Sequence, residues 1–597
     1  MTPLRYLPAL LWALAVLCGC SSGHSDPEQA RIKIVHINDV HSHLEPQQLN
    51  LEIDTIPIRA EVGGMARVAS LIRELRSQDT SSLVLHAGDA VQGTMFCTLF
   101  GGAADADVLN SIAFDAFTLG NHEFDAGDAW LADFLQRLEC PKLSANLSVG
   151  KTNPLKDLYR PYLVKNVNGN DIGIIGVTIG AKTQASSFPG PDVVFSAEAE
   201  AVQNAVDELE AAGVGKIILL SHYGYPDILR LVAQVDGVDV VVDGDSHTLM
   251  GDFSPHALPQ SPPYPVITTN RAGEQVCIVQ AWENTKIVGE LDVLFRGDSI
   301  AECRGTPHLV LGEQFWPLDE DSTALPLSGA ELEELHAAIE ADPCLSSCTD
   351  DPTTGEIINS YSAQMEQLTQ QVIGTAPEDL PHIRIPDPSH PNPGLARGSA
   401  IAPLVARAFY ARIPDADLAL INAGAVRTDL YAGDITYATL NNLMPFSATL
   451  VHMQISGAEL RFLLEEGLEY IASGGSSGSF LYAYGIRYAV DAREAFGKRF
   501  SALEIRQDDA GTYVTLEDNK TYSLVTNSYI AAGKDGYTSM ESIRANTEIT
   551  NTYIDVRQAL TDHLQNLSQE GLELSALPPE DHCIQGYIPA PDEHDSP

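Results

Sequence analysis

Positive charge is scarce in this chain. Lys and Arg total 35 against 81 Asp and Glu, a formal net charge of −46 over 597 residues. A surface this acidic repels nucleic-acid backbones, which argues against a DNA- or RNA-binding role. An anionic substrate would still need a local positive site inside that negative shell. Long apolar runs are missing too: the one candidate, Leu7 to Cys18, is too short to span a bilayer. No internal repeat is evident. The hydrophobic fraction of 44% is ordinary for a globular protein and argues against wholesale disorder. One hydrophobic core does not serve a chain of this length, so at least two domains are expected.

Arg5 precedes that short apolar run, which ends in Leu17-Cys18-Gly19-Cys20 and continues Ser21-Ser22-Gly23. This is the pattern of an export signal. It resembles a bacterial lipobox, with Cys20 acylated as the mature N terminus; an ordinary signal peptide cut nearby is the alternative. Either way an exported protein is expected, periplasmic or at the cell surface, touching the membrane only through an anchor at Cys20. Of nine cysteines, removing Cys18 and Cys20 leaves seven, so at least one stays unpaired or pairs between molecules. Cys344 and Cys348, four residues apart, are the expected local disulfide; a zinc knuckle there is the weaker alternative, because no His or second Cys pair sits close by.

From Arg31 onward, strand-like runs alternate with helix-period stretches. Strands are predicted at Ile32–Ile37, Leu83–His86, Ala116–Leu119, Ile172–Val177, Lys216–Leu220 and Val238–Val242, and helices at Gly64–Leu75, Asp128–Leu138 and Glu198–Ala212. Such alternation implies an α/β layered domain, assigned to residues 31–325 behind a signal peptide (1–20) and a short linker (21–30). Helices at Glu331–Ala341 and Ile357–Gln371 form a linker over 326–371. A second α/β domain covers 372–574, and residues 575–597 are an acidic, Pro-rich tail expected to drape or fray. Pro255–Pro265 and Pro377–Pro393 read as loops.

Metal-competent side chains collect just past the ends of five predicted strands. They are Asp39 and His41, then Asp89, then Asn121, His122, Glu123 and Asp125, then His222, then Asp245 and His247. In α/β sheets the carboxyl edge is where ligands bind. One such residue would be unremarked loop chemistry; five strand ends in succession are not. His36 and His86 fall within strands as packed residues, and His43 takes no role. His256, His308, His382 and His390 read as exposed loop histidines.

The succession Asp39-x-His41, Gly88-Asp89, Gly120-Asn121-His122-Glu123, His222 and Ser246-His247 resembles the calcineurin-like metallophosphoesterases, and Gly120 to Asp125 resembles their 5′-nucleotidase branch. The resemblance implies a four-layer αββα first domain and a C-terminal α/β 5′-nucleotidase domain joined by the helical linker. It implies two divalent ions, manganese, zinc, magnesium or iron: one held by Asp39, His41 and His247, the other by Asn121, His222 and Asp245, with Asp89 bridging. Two such ions activate water for in-line attack and clamp the phosphoryl oxygens. His122 is implied as the catalytic histidine, oriented by Asp125. Asp245 stands where the family usually has an imidazole. That change either tilts the site toward harder ions than zinc or weakens the second site. The Gly-Asp-Ser-His variant is similar to the bacterial NAD nucleotidase branch.

The second half carries Asn422-Ala-Gly424-Ala-Val-Arg427, Met444-Pro-Phe446-Ser447 and Asn527-Ser-Tyr529, with Asp535 further on. These resemble the family's nucleotide-binding segments. Arg427, with Arg384 and Arg397, is implied on the phosphate side, and Asn422 and Gly424 in the turn below it. Phe446 and Tyr529 are implied as the two faces of a base clamp, each stacking contact being worth about 1–3 kcal/mol. Asp535 is implied as the acceptor for the ribose hydroxyls. The expected substrates are AMP-like nucleotides, with NAD and UDP-sugars as further candidates. The alternatives are a 2′,3′-cyclic-nucleotide phosphodiesterase, an enzyme of sulfur substrates, or a surface nucleotide-binding protein without catalysis.

Overall fold

A strand that is apolar on both faces needs cover on both, and the first half of the chain is built on that requirement. The structure is a computed structural model. It describes residues 29–590 except 80, 319–324, 391, 414, 415, 447, 508–510 and 548, and omits the side chains of 185, 186, 393 and 394. The signal peptide with Cys20, and Ser447, lie outside the described residues.

Strand β1 (Gln29–Ile37) turns Ile32 and Ile34 to one apolar layer and Val35 and Ile37 to another, the period of two that a strand imposes. Then follow α1 (Met65–Gln78), β2 (Leu83–His86), α2 (Ala103–Ile112), β3 (Ala116–Thr118) and α3 (Gly127–Arg137). β1, β2 and β3 pair in parallel, and the three helices cover their outer face through Val68, Ile72, Leu109 and Phe134.

A second sheet repeats the plan. It comprises β4 (Asn170–Thr178), α4 (Gly180–Ser186), α5 (Glu198–Ala211), β5 (Ile217–His222), α6 (Asp227–Val232), β6 (Val240–Val242) and β7 (Gln275–Val279). These four strands run parallel at the centre of a six-stranded sheet, whose edge strands, Tyr162–Val167 and Val266–Thr269, pair antiparallel. Ile218 and Leu220 face Ile32 and Ile34 between the sheets, while Ile217 and Leu219 face α5 and α6. The layers are therefore helix, sheet, sheet, helix, as the resemblance implies. β8 (Ile287–Arg296) closes against β1 antiparallel, and β9 (Ser299–Pro317) against β8.

Two helices come next, and both pack on this first half. α7 (Ala330–Ala341) buries Leu335 and Ile339 beside Leu51 and Phe315. α8 (Pro352–Leu368) buries Ile358 in the layer of α1 and α2. It starts five residues before the predicted Ile357 because Asp351 caps it, accepting from the Thr354 N–H, with Pro352 in the first turn. The second half holds α9 (Ala402–Arg412), β10 (Leu418–Asn422), β11 (Thr449–Ser456), β12 (Thr521–Asn527), β13 (Ile549–Asp555) and α10 (Val556–Gln569). Leu481–Tyr484, β10, β12, β11 and β13 form one sheet in that order, over a core that includes Phe409, Leu420, Tyr482 and Leu560. No helix of the described residues is long and apolar enough to cross a membrane.

Three expectations change. The tail does not simply fray: Ile584–Ile588 adds a parallel strand beside Ile486–Asp491, with Cys583 and Ile584 buried. Of the histidines read as exposed, His256 is buried and meets Asp342 at 3.1 Å, His308 meets Glu290 at 3.2 Å and His382 meets Ser399 at 2.9 Å.

Cys344 and Cys348 are both free, and Cys277 is bonded to Cys303 instead. The residues between the expected pair form a short strand, Leu345–Ser347, and an extended backbone of about 3.3 Å per residue carries its flanking cysteines beyond bonding distance. Cys277 on β7 and Cys303 on β9 belong to opposite sheets, with Cα atoms 6.7 Å apart, so the disulfide ties the two sheets together. Peptide mapping without reductant is expected to recover the Cys277–Cys303 link and to find Cys344 and Cys348 alkylatable. Cys303→Ser is expected to lower unfolding stability by about 2–4 kcal/mol.

Candidate metal centre and ligand pocket

The parallel strands bring their carboxyl ends to one edge, and the chain leaves three of them, β1, β2 and β6, in a conformation that L-residues resist. Asp39 (φ 49°), His41 (φ 48°), Asp89 (φ 52°), Asp245 (φ 72°) and His247 (φ 47°) are all left-handed. Strain of this kind persists only where surrounding structure enforces it. Here it turns five polar side chains inward at once. The glycines of the same motifs let them meet: a Cβ on Gly120 would lie 2.1 Å from Asp89 Oδ1, and one on Gly244 would lie 2.7 Å from His222 Nδ1.

Two ligand groups result, Asp39 with His41 and His247, and Asp39 with Asp89 and His222. His247 Nε2 lies 3.2 Å from Asp39 Oδ1 and 3.0 Å from His41 Nε2. His222 Nε2 lies 3.0 Å from Asp89 Oδ2 and 3.7 Å from Asp245 Oδ1. Two of the three imidazoles are fixed from behind, while His41 Nδ1 has no hydrogen-bond partner among the described residues. His222 Nδ1 donates to the Ala87 carbonyl at 2.7 Å, and His247 Nδ1 to Glu283 at 2.6 Å; such outer bonds set the tautomer that presents Nε2. Asn121 is fully buried, and both its amide atoms lack a hydrogen-bond partner among the described residues.

Orphaned donors around paired carboxylates fit a cation rather than a hydrogen-bonded core. Electrostatics agree. Burial opposes charge on His222, yet Asp89 and Asp39 outweigh it and hold the ring well above its ordinary pKa. A field that attracts positive charge into a buried place is what a divalent site requires.

His122 sits beside this cluster without joining either group. A short turn, His122–Phe124, follows β3 directly and places His122 Nδ1 2.6 Å from Asp125 Oδ2. Nε2 has no hydrogen-bond partner among the described residues and lies 4.0 Å from Asp89 Oδ2. Burial lowers its pKa, but Asp125 and Asp89 raise it further than burial lowers it. The ring is thereby equipped to carry a proton at Nε2.

Sequence reasoning missed several neighbours. The Glu123 carboxylate accepts from the backbone N–H groups of Asp89, Ala90 and Gly120 at 3.1, 2.8 and 2.6 Å, clamping two motif loops together; its place within the Asn-His-Glu run is the signal that could have found it. Asn38 donates to Asp39 Oδ2 at 2.6 Å. Lys182 donates to Asp245 Oδ1 at 2.6 Å. Tyr553, from β13 of the second half, stacks on His247 and His41 with centroids 4.3 and 4.9 Å away. Neither Lys182 nor Tyr553 carries any local signal.

In the second half, Arg384, Asn422, Gly424, Arg427, Phe446, Tyr529 and Asp535 line one cavity of about 580 Å³. Phe446 is 55% and Tyr529 42% exposed, which separates them from core aromatics. The Arg427 guanidinium lies 5.2 Å over the Phe446 ring, and the Tyr529 hydroxyl donates to Asp535 at 2.9 Å. Asn422 accepts from Asn527 at 2.9 Å. Arg397 is not among the lining residues; it donates to the Pro579 carbonyl. None of the metal-centre side chains lines the cavity.

An αββα sandwich with a buried Asp/His cluster of this kind defines a metal-dependent phosphoester hydrolase. Residues 32–249 match the calcineurin-like phosphoesterase family, and residues 372–542 match the 5′-nucleotidase C-terminal domain. The chain is 38% identical to a "probable 5′-nucleotidase" of Treponema pallidum, over 94% of this chain and 96% of that one. It is 35% identical to the NAD 5′-nucleotidase of Haemophilus influenzae, over 85% of each. It is similar in structure to the Haemophilus influenzae NAD nucleotidase, with a TM-score of 0.87 and 32% identity over 94% of this chain and all of that one. The chain belongs to the 5′-nucleotidase family, and its activity is the metal-dependent hydrolysis of nucleotide phosphoesters. Asp89→Asn is expected to at least halve the divalent metal that co-purifies with the chain, measured by elemental analysis. Unchanged metal content would remove Asp89 from the ligand set.

Proposed function

We propose that the protein releases phosphate from nucleoside 5′-monophosphates outside the cytoplasm and also cleaves the pyrophosphate of NAD. The carrying observation is the pairing, in one chain, of a buried Asp/His centre with a cavity that offers two exposed aromatic rings beside arginines. A planar base stacks between rings like Phe446 and Tyr529, the ribose hydroxyls meet Asp535, and Arg384 and Arg427 hold phosphate oxygens. When bound, two divalent ions supply an activated water and the charge that clamps the phosphoryl group. Asp39, His41 and His247 would hold one, Asn121, His222 and Asp245 the other, and Asp89 would be shared between them. His122 then gives a proton from Nε2 to the leaving oxygen, while Asp125 fixes the ring and keeps it charged. An anhydride and a monoester present the same phosphorus to this arrangement, so NAD and nucleotide sugars enter by their shared chemistry. The likeness to NAD nucleotidases supports NAD.

The cavity and the centre share no lining residue, and the Tyr553 ring covers His41 and His247. Hydrolysis therefore needs the second half to turn so that Tyr553 leaves and the held phosphate arrives. Residues 369–371, between α8 and the strand Val372–Ala376, are the hinge. The inter-sheet disulfide supports an oxidising compartment, in keeping with export and with acylation at Cys20.

The first test supplies metal-stripped protein with Mn²⁺, Zn²⁺ or Mg²⁺ and follows AMP, NAD and UDP-glucose in parallel. Metal-dependent cleavage of AMP and NAD is expected; failure with every metal sinks the proposal. His122→Ala is expected to lower kcat roughly 10²–10⁴-fold with metal content unchanged, and undiminished turnover would remove His122 from the mechanism. Thr98 and Gln558 touch across the two halves. A disulfide engineered at these positions is expected to stop turnover until reduced, and full activity in the cross-linked form would exclude the rotation.

A further inference from the structure

Lys182 belongs to no motif, yet its ammonium stands at the metal centre. It lies on α4, just past the carboxyl end of β4, on the sheet that also delivers His222 and Asp245. Its side chain is only 20% exposed, and Nζ lies 2.6 Å from Asp245 Oδ1. The same Nζ is 5.4 Å from the centroid of Tyr553, the ring that covers His41 and His247. The ammonium thus borders the space above the ligand groups, where a phosphoryl group has to lie.

Charge explains why it is there. Among the seven proposed ligands, Asp39, Asp89 and Asp245 are anionic, and the amide and imidazoles are neutral donors. Three carboxylates against two divalent ions leave one net positive charge. A neutral donor at position 245 would leave two. Lys182 supplies the missing one and does so against the carboxylate that creates the deficit.

We propose that Lys182 is a positioning residue of the hydrolysis: its ammonium offsets Asp245 so that the loaded centre keeps the charge needed to hold a phosphate dianion. This rests on the reading of Asp245 as a ligand. Charges at this range in a partly buried site couple strongly enough that losing one weakens dianion binding by roughly tenfold or more.

The test titrates inorganic phosphate into Mn²⁺-loaded wild type, K182M, K182R, D245N and K182M/D245N by calorimetry, with metal content measured on each. K182M is expected to keep its metal, to bind phosphate roughly tenfold more weakly, and to raise the KM for AMP more than it lowers kcat. K182R is expected to restore binding to within about threefold, because it keeps the charge. In the D245N background, removing Lys182 is expected to cost less than about threefold, because no carboxylate remains to offset. Should K182M not fold, K182Q serves in its place. Wild-type phosphate affinity in the metal-loaded Lys182 variant, or an equal loss with and without Asp245, overturns the proposal. Absence of AMP turnover in the wild type would instead overturn the functional reading beneath it.

Discussion

Asp39 and Asp89 are buried within one cluster of imidazoles, and Asp245 points into the same place. Carboxylates gathered out of water are costly unless paired, so much of the surrounding architecture answers to that charge. Backbone N–H groups meet them: that of His122 donates to Asp89 at 2.9 Å, and that of Asp245 to Asp39 at 3.1 Å. The left-handed turn that aims Asp89 is fastened by Glu123, which bonds three backbone groups from two loops.

The two halves of the chain divide the chemistry by physical type. The first supplies charge and rigidity, because parallel strands buried on both faces fix their ends to within small tolerances. The second supplies exposed aromatic surface, which an αββα edge crowded with ligands has no room to offer. The halves touch through Tyr553 on the metal-centre histidines and Arg412 over Phe188 at 4.6 Å. Tyr553 reaches the centre from a bulged segment of β13 with φ 52°, so the contact between halves is itself held under backbone strain.

The scarcity of positive charge over the whole surface and the concentration of function in one edge are compatible because screening is local. Surface carboxylates beyond about 10 Å are largely screened at moderate salt, whereas groups inside the centre act at a few ångströms in a medium that screens poorly. A net charge of −46 therefore argues against polyanion partners without arguing against a small phosphate ligand.

The layered fold was legible because it rests on local periodicity. Ile32 and Ile34 against Val35 and Ile37 already show two faces, and the predicted strands carrying ligands all appear. The order of ligand motifs was legible for the same reason: each sits within a few residues of its strand end. Helix starts were less so, since the Asp351 cap was overlooked, and the disulfide was misread, since Cys344 and Cys348 are close in sequence but separated by strand geometry. By itself, then, the sequence determined the sandwich, the gathering of metal-competent residues at one sheet edge and the aromatic cavity residues, all of which are encoded in short segments. Only the tertiary structure decided that Cys277 meets Cys303, that Lys182 pairs with Asp245, that Tyr553 covers the centre and that Arg397 stays outside the cavity. Those contacts join residues far apart in sequence, and no periodicity or spacing along a chain carries information about which distant side chains packing will bring together.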